Sequence, residues 1–453
     1  MDIGQLILFK KLQKFKALLW ILGLALKAGL SVYPWSFKVR RLIIGVSRCI
    51  DTVHSSIGSI ILNTRHIPLV AILISLCLGL SACGGGASSA SGTTTPTGVT
   101  NFTTLDFGVV ANYANPVLPA YYDATVVALD NTPANNAITD KVATLGRVLF
   151  YDKRLSINDT ISCSSCHQQA TGFDDPRRFS VGFSGAAFTT AHAMRLGNIR
   201  YYQPGSMFWD KRAASVEAQS SQPIQHPVEM GFTAAAGGIP ALIAKMNATT
   251  YYPDLFTFAF GDATISEARI QQAFGQFERA MISYNSKWDT EYAKVFNANA
   301  NNRGLGTTLA GFTAQEDRGR QLFIAGPNNG GAGCGACHQP PTFALAANSR
   351  SNGLDAGETV VFKAPSLKNV GLSKAFMHDG RFATLEEVVE HYNSGVKLGD
   401  ALDNRLVLAN SQPREPLRLN LSADDKAALV AFMKTLTDNT LTTDAKFSDP
   451  FKK

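Results

Sequence analysis

Beyond residue 83 the sequence has no cysteine to spare. Of seven cysteines in the chain, Cys49, Cys77 and Cys83 lie in the first 83 residues. The other four, Cys163, Cys166, Cys334 and Cys337, all fall in two Cys-x-x-Cys-His motifs. None is left over for a structural disulfide. Alternating strand patterns are scarce, which argues against a sandwich or barrel. The body of the chain also lacks an excess of positive charge, although the whole carries +7 and a pI near 9.0. Residues 1–83 hold ten Lys and Arg against Asp2 and Asp51 alone, and removing them leaves 32 basic and 33 acidic residues. The basicity thus lies in a segment of signal type, and a nucleic-acid partner is excluded. At 453 residues there is room for two domains and a sizeable core.

Long apolar runs are also few. Ile67–Ala82 is about 16 apolar or small residues, which suits a signal-peptide core better than a membrane span of about 20. Arg65 supplies the positive flank, and Leu80-Ser81-Ala82-Cys83 resembles a bacterial lipobox. A lipid anchor on Cys83 is expected, at the periplasmic side of the cell envelope. Gly84 rather than Asp after the cysteine favours the outer membrane. Residues 1–61 precede this signal and contain another apolar stretch, Ala17–Leu30, among lysines; a start near Leu62 is the favoured reading. After this extension and signal (1–83), residues 84–104 are expected to form a flexible tether, low-complexity through Gly98. Helical patterns then cover Asp140–Tyr151, Ile265–Tyr284, Thr313–Ile324, Thr384–Tyr392 and Asp424–Thr437. Ser422 with Asp425 reads as an N-cap box for the last.

The motifs Cys163-Ser-Ser-Cys166-His167 and Cys334-Gly-Ala-Cys337-His338 are what covalent haem requires. Each thiol adds to one vinyl group, two intervening residues let one backbone turn span both, and the histidine faces the iron as its fifth ligand. A zinc site wants four ligands, and each cluster offers three. A redox dithiol would not need the histidine.

The two halves repeat. Gly146-Arg-Val-Leu-Phe150 and Gly319-Arg-Gln-Leu-Phe323 precede the motifs, 173 residues apart. After them come Ala193–Ile199 against Ala364–Val370, and Phe208–Ala213 against Met377–Phe382, at offsets of 171 and 169. The expected fold is mainly α: two tandem cytochrome c-like domains, 105–305 and 306–453, each around one haem. Continuing the last offset sets Pro223 opposite Tyr392. Tyrosine can ligate ferric iron and proline cannot, so the first haem is expected open and the second ligated on its far side. His391 rivals Tyr392 for that role, and Tyr392 also reads as a core aromatic.

These residues resemble the bacterial di-haem cytochrome c peroxidase and MauG family over most of 140–437. The resemblance is carried by Leu145–Ser156, Ser162–His167, Phe208–Arg212, Pro223–Gly231, Pro365–Val370 and His378–Arg381. It implies that the first haem reduces hydrogen peroxide and the second relays electrons past a tryptophan, here Trp209. It also implies Glu229 as the carboxyl that handles the peroxide protons, and Gln219 as a neutral hydrogen-bonder beside it. A carboxyl can take one proton and return it to the leaving oxygen; without the resemblance Glu229 reads as a surface acid. His226 reads as surface or supporting. Phe183 stands where many relatives have a histidine over the first haem, and Tyr392 where the peroxidases have methionine and MauG has tyrosine. A calcium ion between the domains stays open at His192, Ser373 and Ala375, although His192 replaces an amide oxygen. Three functions follow: a peroxidase fed by a cytochrome c or cupredoxin, a MauG-like oxidase of a protein or organic substrate, or a non-catalytic electron-transfer cytochrome. Pro223 and Glu229 speak against the last.

The lipobox yields a direct test. Cys83→Ser is expected to move the protein from the membrane to the soluble periplasmic fraction or to leave its signal uncleaved; a native N-terminus upstream of Cys83 excludes the anchor.

Overall fold

The computed structural model describes residues 97–345 and 347–453, so the signal, Cys83 and most of the tether lie outside the described residues. Among the described residues the chain is mainly helical, and its one sheet pairs β1 (His338–Gln339) with β2 (Ala344–Leu345). Five helices matter for the sites: α1 (Asp140–Tyr151), α2 (Glu267–Arg279), α3 (Ala314–Ile324), α4 (Leu385–Glu390) and α5 (Ala423–Lys434). Each begins at a side-chain cap. Thr139 accepts from Val142 N, Ser266 from Arg269 N, and Thr313 and Thr384 exchange bonds with Glu316 and Glu387. Ser422 caps Asp425 N, but the reciprocal half of the expected box is missing because the Asp425 carboxylate turns to Arg318 at 2.8 Å.

The apolar positions of α2, Ile270, Ala273, Phe274 and Phe277, follow the helical period and bury one stripe against α1. In the same way α3 packs on α5. Both crossings turn on a glycine. A Cβ on Gly146 would stand 2.0 Å from Ala273 O, and one on Gly319 1.9 Å from Ala428 O. Aromatic rings then fill the space beside each crossing. Phe150 meets Phe277 at 5.4 Å and Phe323 meets Phe432 at 5.1 Å, both edge to face.

The repeat extends into the backbone. Left-handed residues recur in pairs: Phe173 and Phe343, Asn198 and Asn369, Phe208 and Met377, Lys211 and Gly380. Asn198 Oδ1 accepts from Ser283 N and Asn369 Oδ1 from Asp438 N, each at 2.7 Å. The first of these bonds explains why α2 stops at Arg279 rather than near Tyr284. Asn198 takes Ser283 N, and Asp438 takes Tyr284 N and Asn285 N, donors that a longer helix would have used.

Packing runs across the boundary expected at 305/306. Trp288 and Tyr292, from the first half, sit in the second core with Tyr121, while Leu441 and Phe447 return to the first. Hydroxyls of Tyr113 and Tyr151 pin that return at Lys446 O and Phe447 O, both at 2.6 Å. The expected tether also ends early: Val99 is fully buried and Thr103 pairs with Phe451, because apolar residues resume straight after Gly98.

Gly146→Ala and Gly319→Ala should each destabilise the holoprotein by about 1–3 kcal/mol or more. Gly326→Ala, where a Cβ meets nothing within 4 Å, should leave Tm unchanged. Equal Tm for all three would show that the helices do not cross at contact distance.

Candidate active site

Each Cys-x-x-Cys run forms a single tight helical turn, Cys163–Ser165 and Cys334–Ala336, that brings its two sulfurs to one side. The four thiols are free. Burial pushes all of them up, Cys166 to about 11 and Cys334 to about 12. A redox dithiol works through a lowered pKa, so that alternative loses its footing. Burial also lowers His167, and it brings His338 to about 4 with help from Arg195, so both imidazoles are neutral and able to ligate. His167 Nδ1 lies 3.2 Å from Phe173 O, which places the proton there and leaves Nε2 bare for a metal. His338 Nδ1 has no partner.

Around the second motif lies a cavity, partly open to solvent, lined by Cys334, His338, Trp209, Met377, Tyr392 and Met433 among others. Its walls are mostly apolar, and its donor set is a neutral histidine beside a cysteine, which fits a haem. Tyr392 reaches this cavity and His391 does not line it. The reason is local: α4 ends at Glu390 and the chain continues through a wider, π-type turn, His391–Gly395. His391 is buried with Nε2 3.1 Å from Asn352 O, while Asn352 Nδ2 faces both Met377 Sδ (3.2 Å) and the Tyr392 hydroxyl (3.5 Å). Burial pushes the Tyr392 phenol far above its usual range, so a phenolate there requires a cation at hand.

Beside the first motif, Glu229 follows the short helix Gln222–Gln225 that carries Pro223. Its side chain is 30% exposed. Burial raises the carboxyl, with His226 and Arg212 partly offsetting it, and its charge acts on both Cys163 and Cys166. The Phe183 amide donates to the Glu229 backbone carbonyl at 3.0 Å, which ties the Ser180–Ser184 stretch to the turn that carries Glu229. His226 Nδ1 accepts from Val228 N and Glu229 N, a supporting place at the turn. Gln219 lies half-buried on the helix Val216–Ser220. That helix is anchored through Glu217, whose carboxylate takes both Arg279 nitrogens at 2.6 and 2.9 Å.

Between the motifs the two halves meet reciprocally. His192 N donates to His378 O at 2.9 Å, and Lys363 N to Trp209 O at 2.7 Å. His192 and Lys363 are repeat equivalents, as are Trp209 and His378, so the bonds are related by an approximate two-fold axis. Trp209 stands beside it, 6.4 Å from the His378 ring, with Nε1 bonded to His192 O at 2.7 Å. The positions expected for calcium do not fit one. Asp174 Oδ1 lies 3.0 Å from His192 Nε2, and Oδ2 is shared by Ser373 Oγ and Arg195. Its carboxylate is therefore already neutralised by a guanidinium, where a calcium ion would need free oxygens.

The chain is similar to several known proteins. The family profile described as di-haem cytochrome c peroxidase matches residues 140–295 and 314–414. The methylamine utilization protein MauG of Methylorubrum extorquens is 30% identical over 67% of this chain and 80% of its own. The cytochrome c551 peroxidase of Nitrosomonas europaea is 28% identical over 65% of this chain and 80% of its own. The crystal structure of a MauG-like protein associated with microbial copper homeostasis superposes with a TM-score of 0.58 at 30% identity, covering 74% of this chain and 99% of that one. The chain belongs to the di-haem cytochrome c peroxidase family, whose members are oxidoreductases, and membership implies two c-type haems.

One residue near the first motif escapes sequence reasoning. Glu278 on α2 is 5% exposed, and its Oε2 has no partner. Its α5 equivalent, one residue past Phe277 and Phe432, is Met433, which lines the second cavity. Burial brings Glu278 to about 8, against 4.5 for an unperturbed glutamate. Between those values the folded state holds the extra proton, so stability falls as pH rises from about 4.5 towards 8. Glu278→Gln should therefore raise Tm relative to wild type at pH 8 and leave it nearly unchanged at pH 4; a pH-independent difference would place the carboxyl in contact with water.

Proposed function

We propose that the chain is a di-haem peroxidase that reduces hydrogen peroxide to water at a haem held by Cys163, Cys166 and His167. Electrons arrive from a small redox protein, a cytochrome c or cupredoxin, by way of a second haem held by Cys334, Cys337 and His338. The bound haems supply the redox chemistry; the chain's own groups do the rest. His167, its Nδ1 proton committed to Phe173 O, offers Nε2 in a fixed direction. Glu229 takes a proton from the incoming peroxide and returns one to the departing oxygen, a task suited to a carboxyl raised above its usual range. Gln219 adds a neutral hydrogen bond. Trp209, held at Nε1 by His192 O, lies on the path between the two motifs. The observation that carries this reading is the asymmetry of the two sites: Glu229, its carboxyl raised by burial, stands in the turn after Pro223 beside the first motif, while no Asp or Glu lines the cavity of the second. A lipid anchor at Cys83 would hold the enzyme on the periplasmic side of the envelope.

A second, MauG-like reading has the same chemistry directed at a protein or organic substrate. Its support is Tyr392, which lines the cavity around His338. Tyr392 would then help His338 hold the second haem, while Pro223 would offer the first haem no such side chain. Peroxide consumption with a reduced cytochrome separates the two readings.

Glu229→Gln should leave both haem spectra in place while slowing peroxide reduction by roughly 10²–10⁴-fold. An unchanged rate moves the proton chemistry elsewhere. Low-temperature EPR of the ferric enzyme should show one high-spin and one low-spin haem, with Tyr392→Phe converting the second. A change with His391→Ala instead would transfer the ligand role to His391.

A further inference from the structure

The cavity around His338 is lined by three cationic side chains, Arg195, Arg350 and Lys363, and by no Asp or Glu. Lys363 is the anomaly among them. It is 4% exposed, and its ammonium finds only Met207 Sδ at 3.0 Å, Ser206 O at 3.5 Å and the face of Tyr202 at 4.0 Å. A buried cation without a counter-charge is costly, and proteins rarely keep one without an anion to meet it. Lys363 contrasts with Lys368, the other fully buried lysine among the described residues, which is paired with Asp289. It contrasts equally with its own repeat equivalent, His192, which faces Asp174 at 3.0 Å. Arg195, unlike Lys363, has a counter-charge, since its NH1 serves Ser373 and Asp174, but its buried Nε has no partner and can take a further acceptor. With no anion at hand, burial and the Lys211 charge bring Lys363 down to about 7.

A haem brings two carboxylates, its propionates, on the edge away from the two thioether bonds. We infer that Lys363, assisted by Arg195, is the counter-charge for the propionates of the second haem. This rests on the reading that a haem is held at Cys334, Cys337 and His338. Lys363 is then a positioning residue with an electrostatic consequence. Its positive charge favours the reduced, less positive iron and so raises the potential of the haem that receives electrons.

The test uses holoprotein. Lys363→Met should keep two covalent haems by pyridine haemochrome, lower the midpoint potential of the second haem, and shift its propionate bending bands in resonance Raman spectra. Lys363→Arg should hold the potential near wild type while shifting those bands. Two haems with bands and potential unchanged in both variants would overturn the propionate contact and leave the haem itself intact. A wild-type protein with one covalent haem would overturn the underlying reading instead. Should Lys363→Met fail to accumulate, the Lys363→Arg spectrum decides alone: shifted bands support the contact, and unshifted bands exclude it.

Discussion

Everything in this structure hangs on two helix crossings at which backbone meets backbone. Gly146 and Gly319 let α1 and α3 approach the carbonyls of Ala273 and Ala428 to a distance that no side chain permits. The crossing sets how far apart the paired helices stand, and hence where Phe150 and Phe277, or Phe323 and Phe432, interlock. The same pairs reach Phe173 and Phe343, whose left-handed backbone returns the chain from each Cys-x-x-Cys-His turn. A histidine placed by that return has its Nδ1 turned to backbone, as His167 does, so the packing of a helix pair fixes the direction of a prospective metal ligand.

Much of this was legible in the sequence, because the features concerned are local or repeated. The helical patterns over Asp140–Tyr151 and Thr313–Ile324 and the cap at Ser422 are short-range signals, and the Cys-x-x-Cys-His turns need only five consecutive residues. The repeat supplied the rest, since matched segments at near-constant offset must fold alike. Features that depend on partners distant in sequence were not legible. Asn198 and Asp438 end α2 by taking its donors, and neither lies near Tyr284 in the chain. Leu441 and Phe447 return to the first core across some 290 residues, which no periodicity announces. The calcium expectation failed for a related reason: Asp174 and Arg195 meet only in three dimensions, and together they fill the charge that an ion would have brought.

Against this shared scaffold the differences between the halves carry the chemistry. At three equivalent pairs the residue types differ in kind: Pro223 against Tyr392, Glu278 against Met433, and His192 against Lys363. The first half receives groups able to hold or pass a proton near its motif, Glu229 and Glu278, both raised by burial. The second receives groups that ligate, insulate or balance charge. A duplicated unit with two identical sites would divide no labour; under the proposed function these substitutions would suit one side to a proton-consuming reaction and the other to holding an electron.

At the approximate two-fold axis the two halves meet through few residues. Reciprocal bonds between His192 N and His378 O and between Lys363 N and Trp209 O tie the halves at equivalent points. Symmetry alone would put the same side chain on both sides of the axis, yet the pair is Trp209 and His378, 6.4 Å apart. Breaking the symmetry at this point gives the contact a direction. The indole is fixed by His192, whose ring faces Asp174 one residue beyond Phe173, the residue that receives the His167 proton. The imidazole of His378 is stacked at 4.0 Å on Phe362, whose neighbour is Lys363. The two motifs are thus joined by a chain of contacts only a few side chains long.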